Sequence, residues 1–282
     1  MKKPQVTVCI PVYNCVRFVA QAIESVLGQT FNDYELVILD DCSTDGSWEI
    51  IAKYSDTRIK RIKHQTNKGL AASWNRLLSE ASGTYLKILP HDDILYPTCL
   101  ERQVSVMVAQ PEIALVSCAR HIIDNSGAIV AKRGFSHVTQ ILSGAEAVRA
   151  VVRSGTNPIG EPGSVLFRHA HAERCGSFEG TLLYVIDLQY YCRLLQYGGL
   201  CALHEPLCMF RVSGDSTSVH MMHRQAREFI AFARSLARTS PTLISRIDFI
   251  RAALMAGLNN ILRMVFYGYL AIRHLCRARL QR

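Results

Sequence analysis

Residues 6–109 switch repeatedly between short apolar runs and helical periodicity, and no other feature constrains the chain's fold as strongly. A mostly parallel sheet covered by helices satisfies that alternation. Val6–Val12 reads as a strand, Phe18–Leu27 as a helix with Val19, Ile23, Val26 and Leu27 on one face, and Glu35–Leu39 as the next strand. A helix through Trp48, Ile51 and Tyr54, the strand Arg58–Ile62, the helix Leu70–Ala81 and the strand Tyr85–Leu89 continue the pattern. Beyond Pro97 the sequence predicts a helix to about Ala109, a strand at Ile113–Ala119 and a hairpin turn at Asn125-Ser126-Gly127. A capping box, Ser143 with Glu146, opens another helix. Val165–Arg168 reads as a strand, Ile186–Gln196 as a helix, and Leu200–Val212 as a strand pair broken at Pro206.

In an open α/β sheet the ligand crevice lies outside the carboxyl ends of the strands, so the loops after Val12, Leu39 and Leu89 should converge. Two of these loops are acidic, Asp40-Asp41 and Asp92-Asp93. Adjacent carboxylates repel one another unless a cation sits between them, and Mg²⁺ or Mn²⁺ accepts oxygen ligands while sharing itself with substrate phosphates. Asp-Asp also serves turns and helix caps, so both readings stand for that pair. Asp40-Asp41 can accept hydrogen bonds from a ribose hydroxyl or a base N–H, or cap a helix. Tyr13 offers an aromatic face for a base, or packs in the ordinary way. Asp187 lies among Tyr184, Val185, Ile186 and Leu188. Apolar neighbours raise a carboxyl's pKa and suit it to take up a proton near neutral pH, although an N-cap role fits as well.

Several chemistries find no support. His91, His204 and His220 lack metal-ligand spacing, and neither H-E-x-x-H nor G-x-S-x-G occurs. The first strand is not followed by G-x-G-x-x-G, and no G-x-x-x-x-G-K-[ST] loop exists.

Charge divides the chain in two. Of the net +9, all sits in residues 220–282, where 11 Arg face only Glu228 and Asp248. The expected organisation is therefore a neutral body, residues 1–219, and a basic helical extension, residues 220–282, facing something anionic. Ala252–Ile272 is mainly apolar but interrupted by Asn259, Asn260 and Arg263, with Arg273, Arg277, Arg279 and Arg282 just beyond. A central Arg costs about 2.5–3.5 kcal/mol on insertion scales, so a helix lying in a membrane interface fits better than a span; packing on the body is the alternative. A Lys and aromatic stacking pattern is missing from the tail, which argues against nucleic acid as a partner. The ten cysteines form no C-x-x-C pair and read as buried, reduced thiols of a cytosolic protein. Pro4 and the early end of the first apolar run, at Asn14, argue against a signal peptide.

Taken together, Val8–Asn14 (VCIPVYN), Gln29-Thr30-Phe31, Val37–Ser47 (VILDDCSTDGS), Asn67-Lys68-Gly69-Leu70-Ala71 and His91-Asp92-Asp93 resemble a family 2 glycosyltransferase of the GT-A fold over roughly residues 5–215. That resemblance implies a Rossmann-like, mostly parallel α/β sheet and an inverting enzyme. It further implies transfer of a sugar from a nucleotide donor, UDP-linked in most cases, to a hydroxyl of a saccharide or lipid-linked acceptor, with Mg²⁺ or Mn²⁺. Carried over by position, Pro11, Tyr13 and Asp41 would hold the base with Asp40 nearby. Asn67, Gly69 and Arg76 would line the diphosphate side, Asp93 would be the metal ligand with Asp92 at the ribose or behind the metal, and Asp187 would be the general base. Pro90 stands where many members have a further Asp, and Ile186 where Glu is frequent. Absence of Q-x-x-R-W favours single addition over processive synthesis, and the location implied is the cytoplasmic face of a membrane. A sugar-1-phosphate nucleotidyltransferase is the rival enzyme, but Tyr13-Asn14-Cys15 stands where its Gly-rich loop belongs; a basic-tailed nucleic-acid-binding protein is the rival outside enzymes.

Overall fold

The computed structural model describes residues 3–212 and 222–280. Its first half runs β1 (Val6–Val12), α1 (Val19–Leu27), β2 (Tyr34–Asp40), α2 (Ser47–Ala52), β3 (Ile59–Lys63), α3 (Leu70–Glu80) and β4 (Tyr85–Ile88). Then come β5 (Ile94–Leu95), α4 (Cys99–Ala109), β6 (Ile113–Ile123), β7 (Ile129–Arg133), β8 (Gln140–Leu142) and α5 (Gly144–Ser154). The rest is β9 (Val165–Arg168), α6 (His169–Cys175), α7 (Ile186–Leu194), β10 (Gly199–Arg211), α8 (Met222–Thr239) and α9 (Arg246–Leu280). Among the described residues all strands join one sheet in the order β3-β2-β1-β4-β9-β6-β10-β5, with β7 on β6 and β8 on β10.

Strands β1 to β4 pair in parallel, as the alternation of the first half demands. Their side chains divide between two faces. Val8, Ile10, Leu36 and Ile38 meet Val19, Ile23 and Val26 of α1, while Cys9, Val37, Leu39 and Ile88 meet Trp74 and Leu77 of α3. Each fully buried aliphatic side chain contributes about 1.5–3 kcal/mol. Strand β9 enters antiparallel between β4 and β6 and so welds the second half to the first.

The expected strand pair at Leu200–Val212 is instead one strand, β10, parallel to β6. Pro206 lies at register shifts against β6, so the missing N–H is absorbed by a bulge rather than a turn. Elements β5, β8 and α6 went unpredicted because two to seven residues carry no readable period. Both the hairpin joining β6 to β7 and the Ser143–Glu146 capping box are present.

Helix α8 and the first half of α9 pack on the body. Phe229, Phe232, Ala233, Ala252 and Ala256 belong to the same core as α5 and α7. Arg153 pairs with Asp248, and Asn259 Nδ2 donates to the Ser154 carbonyl at 2.9 Å. At Gly155 a β-carbon would stand 2.4 Å from the Ala256 nitrogen and the backbone has φ +66°, so glycine is what lets α9 approach. The other face of α9 is bare: Ile247, Leu254 and Val265 are 78%, 71% and 67% exposed. By length and composition Arg246–Gly268 could cross a membrane. The boundary expected between residues 219 and 220 lies outside the described residues, as do His220 and Arg282.

Candidate active site

Strand β1 has β2 on one side and β4 on the other, so the chain reverses its direction of travel across the sheet there, and such a switch point opens a crevice. The loops after β1 and β2 are stitched together at its rim. Asn14 N donates to Ser43 Oγ at 2.9 Å, Thr44 N to Asn14 Oδ1 at 2.8 Å, and Val16 N to Asp45 Oδ2 at 2.8 Å. Asn14 and Cys42 both hold positive φ, 49° and 64°, a strain that these bonds offset. Tyr13 projects from this rim, 46% exposed, beyond a buried Pro11 whose carbonyl accepts from His91 Nδ1 at 3.0 Å.

Asp40 is fully buried; Oδ2 accepts from Ser43 N at 3.2 Å while Oδ1 has no partner among the described residues. Asp41 is used differently. Its carboxylate accepts from His64 Nδ1 at 2.7 Å, Lys68 N at 2.9 Å and Gly69 N at 2.8 Å. Burial alone would raise its pKa, but these donors and Ser73 hold it below the ordinary carboxylate range. Asp41 thus clamps the segment that carries Asn67 and Gly69, and Gly69 needs its φ of +82° to present its N–H. Arg76 stands apart from this group: two turns into α3, its Nη2 lies 2.5 Å from Glu80 Oε1.

Across the crevice, Asp93 is 1% exposed beside Asp92. Burial first, then the charges of Asp92 and Glu161, push its carboxyl well above the usual range, against the pull of the Arg211 backbone N–H. Arg211, at the end of β10, organises this corner. Its N donates to Asp93 Oδ1 at 2.9 Å, Nε to the Asp92 carbonyl at 3.0 Å, Nη1 to the Asp124 carbonyl at 3.0 Å and Nη2 to Gln21 Oε1 at 2.8 Å. Arg211→Met should therefore cost at least about 3 kcal/mol in a denaturant titration, from three lost side-chain hydrogen bonds of about 1 kcal/mol or more each. Gln29 has a related task, donating to the Tyr96 carbonyl at 2.8 Å and accepting from Leu100 N at 3.0 Å, which secures the chain leaving the acidic pair.

Asp187 lies in the first turn of α7 and is half-buried. Its Oδ1 accepts from Leu188 N at 2.7 Å and its Oδ2 from Asn157 Nδ2 at 3.1 Å. Burial, opposed by the Leu188 N–H and reinforced by Glu161, raises its pKa to about 7. Glu161 acts on both Asp93 and Asp187, so the acidic pair and the isolated carboxyl share one electrostatic neighbourhood. It pairs with Arg120 of β6. The approach to α7 is fixed from α8, whose Glu228 Oε2 accepts from Tyr184 N at 2.7 Å.

Sequence reasoning missed Asn157, Glu161, Arg120 and Arg211. None belongs to a local motif, and only the sheet order brings them to the crevice. Among the described residues no three acidic, His or Cys side chains cluster as a closed metal cage. Asp92 and Asp93 nonetheless fit a divalent cation, because hard cations bound with phosphates take only one or two protein carboxylates, and Asp93 is a buried acid crowded by like charge.

In Escherichia coli the UDP-Glc:alpha-D-GlcNAc-diphosphoundecaprenol beta-1,3-glucosyltransferase WfaP is 39% identical over 102 residues, 36% of this chain and 41% of that protein. Hyaluronan synthase of Pasteurella multocida is 26% identical over 249 residues, 87% of this chain and 24% of that protein. The chain thus spans less than half the length of either curated relative. Among solved structures, the mannosyltransferase PcManGT of Pyrobaculum calidifontis, in complex with GDP-Man and Mn²⁺, superposes with a TM-score of 0.61 at 17% identity, covering 96% of this chain and 81% of that one. The fold is accordingly GT-A. With the glycosyl transferase family 2 model matching residues 7–176, through β1, the acidic loops and β9, the chain belongs to that family.

Proposed function

We propose that the chain is a metal-dependent, inverting glycosyltransferase that moves a sugar from a nucleoside-diphosphate donor, UDP-linked, to a hydroxyl of a saccharide or lipid-linked acceptor. The observation that carries this reading is Asp187, a half-buried carboxyl held by Leu188 N and Asn157, with a pKa of about 7, in the same electrostatic neighbourhood as Asp93. A base poised there takes the acceptor hydroxyl's proton as its oxygen attacks the anomeric carbon from the side opposite the diphosphate. The bond to the diphosphate breaks with its electron pair leaving on the phosphate oxygen, and configuration inverts. Asp93, with Asp92 beside it, would hold a divalent cation, Mg²⁺ or Mn²⁺, which would supply positive charge to stabilise the departing diphosphate.

On the donor side, Tyr13 offers its ring to the base over Pro11, and Asp40 keeps an acceptor oxygen in reserve. Asp41 serves the nucleotide through the loop it clamps, which carries Asn67 and Gly69 toward the diphosphate. Residues 1–219 form the catalytic unit in this reading, and residues 220–282 its extension. A panel of sugar nucleotides should show one preferred donor whose nucleoside diphosphate is released with Mn²⁺ and not with chelator. Release of diphosphate from a nucleoside triphosphate and a sugar phosphate would identify a nucleotidyltransferase instead.

The enzyme works at the cytoplasmic face of a membrane in this reading. Ile250, Leu254, Leu258, Ile261 and Val265 recur at helical spacing on the exposed side of α9, with exposed Arg246 and Arg251 nearby. Arginines close to an anionic surface add about 1 kcal/mol each. Deleting α9 would remove Ala252 and Ala256 from the core, so point substitution is the cleaner probe. Leu254→Glu with Val265→Glu should reduce partitioning onto anionic vesicles at least about tenfold, given some 0.8 kcal/mol per buried CH₂, with donor hydrolysis unchanged.

A further inference from the structure

A cavity of about 60 Å³ lies where α9 meets β6 and β7, and Asn157, which hydrogen-bonds Asp187, forms part of its wall. One water needs about 10–15 Å³ of such space, so the cavity admits a group the size of a phosphate rather than a sugar ring. Its walls are strongly cationic. Arg120, Arg133 and Arg263 line it, and Glu161 is the carboxylate among the lining residues. Glu161 pairs with Arg120, yet Arg120, 3% exposed, keeps Nη1 buried without a hydrogen-bond partner among the described residues.

The other two guanidinium groups have neutral company. Arg263 Nη1 donates to Gln225 Oε1 at 2.8 Å and Nη2 to Thr156 Oγ1, and its Cζ lies 5.7 Å from the Tyr184 ring centre. Arg133 sits 6.0 Å from the ring centre of Phe266. Neither pairs with a carboxylate among the described residues. Arg133 is exposed and Arg263 half-buried, and both line a cavity whose wall they share with Asn157, Tyr184, Phe266 and Tyr267. Guanidinium groups match phosphate geometrically and bind it by paired, charge-assisted hydrogen bonds.

We infer that this pocket binds a phosphate group of the acceptor, so that the acceptor is a phosphate-bearing saccharide and α9 is one wall of its site. The inference rests on the glycosyltransferase reading for the word acceptor, but the pocket's affinity for phosphate does not. A phosphate held at Arg133 and Arg263 places the attached sugar toward Asn157 and Asp187. The basic extension then has a task inside the active site as well as outside it, because Arg263 reaches the pocket from the same helix that bares its apolar side to solvent.

Two measurements on the full chain test this. In the first, inorganic phosphate is titrated calorimetrically into protein saturated with UDP. Uptake by the wild type that disappears in Arg133→Gln and in Arg263→Gln, with UDP binding retained, supports the pocket; no uptake, or equal uptake by both variants, overturns it. In the second, transfer is followed to three acceptors carrying the same sugar: a prenyl diphosphate, a soluble sugar phosphate and a neutral alkyl glycoside. Each substitution should raise KM for both phosphate acceptors about tenfold, the loss of one charge-assisted contact, and leave kcat and the neutral acceptor's KM unchanged. Arg263→Lys should recover part of the loss. A rise confined to the prenyl compound would assign the pocket to a lipid-linked acceptor, whereas equal rises for all three acceptors would show a merely structural role and overturn the inference. Should no sugar nucleotide react, the transferase reading fails while calorimetry still decides the pocket.

Discussion

Asp187→Asn is expected to lower the rate of sugar transfer by about 10²–10⁴-fold, the usual contribution of a positioned general base, while donor affinity stays within twofold of wild type. Asparagine keeps the shape and the contact with Asn157 but cannot take a proton. The pH dependence supplies an independent signature. Burial raises the Asp187 pKa to about 7, so the base is half protonated near neutrality and the wild-type kcat/KM should climb with pH through an acid limb centred there. The variant's residual rate should lack that limb. A variant rate that still rises through pH 7, or a fall of less than threefold, would remove Asp187 from the chemistry.

The second large effect is expected at Asp93, where function and stability should move in opposite directions. A buried acid whose folded pKa is raised is most compatible with the fold when protonated; its contribution falls as pH rises from the unfolded pKa toward the folded one. Asp93→Asn removes the repulsion from Asp92 and Glu161 and still accepts from Arg211 N. The metal-free variant should therefore melt a few degrees higher at neutral pH, at roughly 2–4 °C per kcal/mol for a chain of this size. Metal-dependent donor binding should meanwhile weaken by about 10²-fold or more, since even residues behind metal ligands cost 10–100-fold. Titration calorimetry of the donor with Mn²⁺, beside thermal melts in chelator, reads both at once. If the variant binds donor as tightly as wild type in Mn²⁺, Asp93 is not the ligand.

The local half of this molecule could be read from its sequence and the global half could not. Strands β1 to β4 announce themselves because each is short, apolar and followed by a helix of clear period, so the meeting of the loops after Val12, Leu39 and Leu89 followed from topology alone. The acidic pairs stood out for the same reason. Asp41 shows the limit: its identity was legible, but its grip on Lys68 N and Gly69 N depends on a loop 27 residues away. Glu161 and Asn157 carry no motif and reach the crevice only through β9, whose antiparallel insertion between β4 and β6 is invisible to periodicity. Pro206 misled because proline signals a chain reversal and a bulge equally well.

The contact between Glu228 and Tyr184, and the shared burial of Phe229, Val185 and Ile186, have a consequence for the order in which the protein matures on the ribosome. The crevice formed by the first four strands can assemble once they have emerged, whereas the support beneath Asp187 arrives only with the last quarter of the chain. A nascent polypeptide of this kind gains the crevice proposed for the nucleotide before it gains the footing of the proposed base.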